Sequence, residues 1–60
     1  MRKITEHTYG NHIYMRVELK DGEQADFDVY LGRTGDMYFR IPEHLEPRRA
    51  EIIEAFNALY

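Results

Sequence analysis

Sixty residues, eight of them Lys or Arg and eleven Asp or Glu, carry a formal net charge of −3 and leave room for one small domain, expected to span 1–60. The chain has no cysteine and no serine, which excludes disulfides, Cys-ligated metal centres and Ser- or Cys-based nucleophilic catalysis. No apolar run approaches the ~20 residues of a membrane-spanning helix and no secretory leader is visible, so a cytoplasmic protein is expected.

Turn signals recur at Gly10-Asn11, Asp21-Gly22 and Thr34-Gly35, and between them apolar and polar residues alternate with the period of a strand. The first segment, Lys3 to Tyr9, alternates poorly and reads as an edge strand. The second sets Ile13, Met15, Val17 and Leu19 on one side and Tyr14, Arg16 and Glu18 on the other. The third opposes Ala25, Phe27, Val29 and Leu31 to Asp26, Asp28 and Tyr30. The fourth opposes Met37, Phe39 and Ile41 to Tyr38 and Arg40.

The period changes after Pro42. Leu45, Ile52, Phe56, Leu59 and Tyr60 fall within about 100° of a helical wheel, with Ile53 at the margin and Glu51, Glu54 and Asn57 opposite. Pro47 suits the first helical position, behind Glu46. Arg48 and Arg49 so early in a helix oppose its dipole, at a cost of roughly a few tenths of a kcal/mol. The fold expected is α+β: a four-stranded antiparallel β-meander with one C-terminal α-helix packed on one face.

Turn length sets the pairing, because pairing must keep apolar residues on one side. Gly10-Asn11 suits a two-residue type II′ turn with glycine first. A two-residue loop at Asp21-Gly22 would set Val17 against Asp26. A three-residue loop, Lys20-Asp21-Gly22, with Gly22 in the left-handed region, sets Val17 against Ala25, Met15 against Phe27 and Ile13 against Val29. The same reasoning at Arg33-Thr34-Gly35 pairs Leu31 with Met37, Val29 with Phe39 and Phe27 with Ile41. The buried side then holds the odd-numbered apolar residues from Ile13 to Ile41, joined by Ile4. Glu6 also points inward, beside Met15, and needs either a route to solvent or a bulge in the first strand.

The face away from the helix becomes three rows: Tyr9, His12, Tyr30, Tyr38; then His7, Tyr14, Asp28, Arg40; then Thr5, Arg16, Asp26. Two cross-strand ion pairs follow from the rows, Arg16 with Asp26 and Arg40 with Asp28. Tyrosine is also a good strand former, so such a face can be merely structural. Aromatics and arginine ringed by polar groups are the composition of interface hot spots. The expected function is therefore a small non-catalytic protein-interaction module: a regulator, inhibitor or accessory protein, of a size common among phage and mobile-element proteins. It would bind a protein partner or itself through Tyr9, His12, Tyr14, Tyr30, Tyr38 and Arg40.

The alternative is single-stranded nucleic acid stacked on the same tyrosines. Arginines matched by aspartates and an acidic total argue against it. The order of three strands and then a helix is similar in topology to the arm-site domains of tyrosine-type integrases, which read DNA with a basic sheet; that charge is missing here. Gly10-Asn11-His12 ahead of a strand resembles the Gly-Ser-His of the HicA-type mRNA interferases, with Asn11 in place of Ser and without that family's N-terminal helix. The resemblance would cast His12 as a general base, but no catalytic constellation accompanies it. His7, His12 and His44 do not have the spacing of a metal site. No enzyme activity, cofactor, metal or small-molecule substrate is expected.

Overall fold

A computed structural model describes residues 2–59. Strands β1 (Arg2–Tyr9), β2 (His12–Glu18), β3 (Gln24–Leu31) and β4 (Met37–Arg40) form one antiparallel sheet in the order β1-β2-β3-β4. A 3-10 helix over Glu43–Arg48 leads into α1 (Arg49–Leu59), which packs on one face of the sheet. The molecule is an α+β meander-plus-helix.

All three reversals have the expected lengths. Gly10 has φ +60° and Asn11 stays at negative φ, the signature of a type II′ turn with glycine first. The Leu19 N–H donates to the Glu23 carbonyl at 2.8 Å and Gly22 N–H to the Leu19 carbonyl at 2.9 Å, which closes a three-residue loop with Gly22 at φ +89°. Gly32, Asp36 and Gly35 repeat the pattern at the third reversal. The resulting pairs include Val17–Ala25, Met15–Phe27, Ile13–Val29, Val29–Phe39 and Leu31–Met37.

Ile13, Met15, Val17, Leu19, Ala25, Phe27, Val29 and Ile41 are buried against Leu45, Ile52, Ala55 and Phe56. Phe56 meets Phe39 edge-on at 5.2 Å, with Phe27 6.4 Å away. Ala55 completes the helix stripe, a position too small to register as apolar in the sequence pattern.

Four residues assigned to the core lie at its margin instead: Ile4, Leu31, Met37 and Leu59 are 38%, 37%, 44% and 37% exposed. Tyr60, assigned to the same stripe, lies outside the described residues. An eleven-residue helix is ~16 Å long and an eight-residue strand ~27 Å, so one helix cannot roof the whole sheet. Ile4 has a further reason. The β1–β2 register shifts between Lys3 and Thr5, so Ile4 is the extra residue of a bulge. Glu6 does sit opposite Met15, half-buried, and the Lys3 ammonium reaches its Oε1 at 2.8 Å.

Two boundaries also differ. The β3–β4 ladder ends at Asp28–Arg40, one pair short of Phe27–Ile41, because Pro42 turns the chain away. The α-helix starts at Arg49 and not at Pro47, which lies inside the 3-10 turn. Pro47 offers no N–H to an α ladder and disfavours the α conformation in the residue before it. The early arginines are compensated. Arg49 donates to Glu46 at 2.8 and 2.9 Å. Arg48 donates to Glu51 at 2.8 Å and reaches Asp21 at 3.1 Å and Glu23 at 3.2 Å, tying the second reversal to the helix. Among the described residues no helix is long and apolar enough to cross a membrane.

Candidate functional site: the open face of the sheet

The register places all six candidate residues on the face opposite α1. Tyr9 pairs with His12, His12 with Tyr30, and Tyr30 with Tyr38; in the next row His7 pairs with Tyr14, Tyr14 with Asp28, and Asp28 with Arg40. The rings are in sequence across the strands. His12 lies flat on Tyr30 with centroids 4.5 Å apart and planes 4° apart. Tyr9 is 6.2 Å from both His7 and His12, and His7 is 6.3 Å from Tyr14. His7 therefore belongs to the cluster, a role already implied by its row. Tyr9 and Tyr38 are 63% and 64% exposed, while His12, Tyr14 and Tyr30 are half-buried by their neighbours.

Of the two expected ion pairs, one forms. Arg16 donates through Nε and Nη2 to the two oxygens of Asp26, at 2.6 and 3.0 Å. That hydrogen-bonded pairing holds the Asp26 carboxyl below its ordinary range and raises the already basic guanidinium further. The expected Arg40–Asp28 pair is replaced. Asp28 Oδ1 instead lies 2.6 Å from His12 Nε2, and Arg40, although opposite Asp28 in the ladder, has no ion-pair partner among the described residues. The reason is reach: stacking on Tyr30 carries the imidazole over the diagonal carboxylate, whereas β4 is an edge strand whose arginine can extend into water.

Below the ring cluster, Arg16, Gln24, Asp26, Pro42, His44 and Leu45 line an open depression where β4 has left the sheet. Its one arginine is already committed to Asp26. His44 lies in the 3-10 turn, apart from His7 and His12, and among the described residues no group of three or more His, Asp or Glu is placed to hold a metal ion.

Comparison with protein-family models, with curated proteins and with solved structures gives no match. What the open face does is therefore read from its chemistry.

Proposed function

We propose that the chain is a small non-catalytic protein-interaction module, acting in the cytoplasm, that docks a protein partner on the open sheet face through Tyr9, His12, Tyr14, Tyr30, Tyr38 and Arg40. The observation that supports this is the uncovered ring series from His7 and Tyr9 to Tyr30, continued by exposed Tyr38 and bordered by the Arg40 guanidinium, which has no ion-pair partner among the described residues. Large amphipathic rings held by their neighbours lose little conformational freedom on binding, and arginine beside tyrosine is a frequent hot-spot pairing. The test is affinity capture from the source cells with the wild-type chain and a Tyr9→Ser/Tyr38→Ser variant. A protein retained by the first and lost by the second, with weak dependence on salt, supports the reading. Equal capture by both removes the face from consideration.

One observation favours the second reading. Arg40, free of Asp28 and next to Tyr38, gives the face a cation that no carboxylate of the described residues compensates, beside a stacking platform. Binding of single-stranded oligonucleotide that weakens steeply with salt would select that reading over a protein partner.

A further inference from the structure

The two edges of the sheet are built differently. β1 carries a bulge between Lys3 and Thr5 and sets charge along its length, with Lys3 Nζ 2.8 Å from Glu6 Oε1. Bulges and charges of this kind keep an edge from templating another strand. β4, Met37 to Arg40, has no proline, no lysine and no shift of register.

The third reversal shows where the β4 backbone points. Gly32 N–H donates to the Asp36 carbonyl at 2.7 Å, so Gly32 and Asp36 form a hydrogen-bonded pair. Such pairs alternate along an antiparallel ladder. Tyr38 and Arg40 therefore bond to β3, and the N–H and C=O groups of Met37 and Phe39 face outward. Among the described residues no backbone group pairs with them.

We infer that β4 pairs antiparallel with β4 of a second copy of this chain, about a two-fold axis at Tyr38, joining two four-stranded sheets into one continuous sheet. Facing residues must lie on the same side of the sheet, which restricts the register. Centring on Tyr38 sets Met37 against Phe39 of the second copy, with their outward groups exchanging hydrogen bonds. It also sets Arg40 against Asp36 of the second copy, opposite charges that are both exposed, and symmetry makes this contact twice. The register centred on Phe39 leaves Asp36 without a cation and needs Ile41, which is buried and followed by Pro42. Exposed Met37 gains an apolar neighbour beneath the sheet, and the guanidinium of Arg40 gains a carboxylate. The contact is short, so the association is weak and depends on concentration. It shares Tyr38 and Arg40 with the open face but leaves Tyr9, His12, Tyr14 and Tyr30 uncovered, and it would place two such faces side by side.

The experiment is sedimentation velocity from micromolar to millimolar concentration, with hydrogen exchange of single amides measured across the same range. The wild-type chain is expected to dimerise, and the Met37 and Phe39 amides to become protected as it does. Arg40→Asp alone and Asp36→Arg alone, each checked for folding by circular dichroism, should weaken self-association by about tenfold or more. An equal mixture of the two variants should recover the dimer, since every Asp then meets an Arg. A chain that stays monomeric at millimolar concentration overturns the inference. So does a dimer whose Met37 and Phe39 amides exchange as freely as in dilute solution, or one indifferent to both single variants; these results would place the contact on another surface.

Discussion

His12 Nε2 lies 2.6 Å from Asp28 Oδ1 and so occupies the carboxylate that strand pairing sets opposite Arg40. The two residues are diagonal neighbours, since His12 pairs with Tyr30 and Asp28 with Tyr14. Removing the imidazole with His12→Ala should release Asp28 to Arg40 and unstack Tyr30. The expected readout is a changed tyrosine band in near-ultraviolet circular dichroism with an unfolding free energy only about 0.2–1 kcal/mol lower. A loss of several kcal/mol would mark His12 as a structural keystone and not a surface group.

Core and open face should separate cleanly by mutation. Phe27 is 1% exposed, and Phe27→Ala should cost about 3–5 kcal/mol. A core of this size supplies little more than that, so the variant should be largely unfolded at room temperature. Tyr38 is 64% exposed, and Tyr38→Ser should stay folded, within about 1 kcal/mol of wild type in urea titration. If the two substitutions cost the same, the division into faces is wrong.

Gly22 tests the second reversal. Its φ of +89° is left-handed, and a Cβ there would meet nothing within 4 Å, so a substitution acts through backbone conformation alone. Gly22→Ala should lose about 1–2 kcal/mol, and Gly22→Asn less, as measured by chemical unfolding. An unchanged alanine variant would show that the three-residue loop does not hold the register.

Acid should destabilise the fold through identifiable carboxylates. Arg16 holds Asp26 below its ordinary pKa; the Glu23 N–H and then Arg48 do the same for Asp21, and Arg49 for Glu46. A depressed folded-state pKa stabilises above the ordinary carboxylate range, and that contribution disappears as pH falls through the folded value. The melting temperature should therefore drop as pH falls from about 4 towards 2, and less steeply in Arg16→Met. A melting temperature that rises over this interval would show that these pairs do not favour the folded state.

The sheet was legible because its side chains obey a period of two and each glycine-bearing turn admits a loop length that keeps apolar residues on one side, as the second does by setting Val17 against Ala25 and not Asp26. The open face followed from the same parity, including the Arg16–Asp26 pair. Parity could not reveal that a stacked ring would carry His12 to Asp28, because that choice is made by side-chain reach and not by register. Nor could it show how far α1 extends over the sheet, which decided the exposure of Ile4, Leu31 and Met37. The 3-10 entry to the helix comes from Pro47: its missing N–H suits a first helical position in the sequence pattern, but in the fold it sits inside the 3-10 turn and the α-helix begins only at Arg49.

Each strand pairs only with its neighbour in the chain, and Arg48 joins the second reversal to the beginning of the helix. Such an arrangement lets short loops close first and postpones a single distant encounter, the docking of α1, to the end of folding. Ile52→Val, at the helix–sheet seam, should then accelerate unfolding far more than it slows refolding in stopped-flow measurements. The kinetic lifetime of the native state would thus rest on the helix, while the speed of reaching it is set by the hairpins.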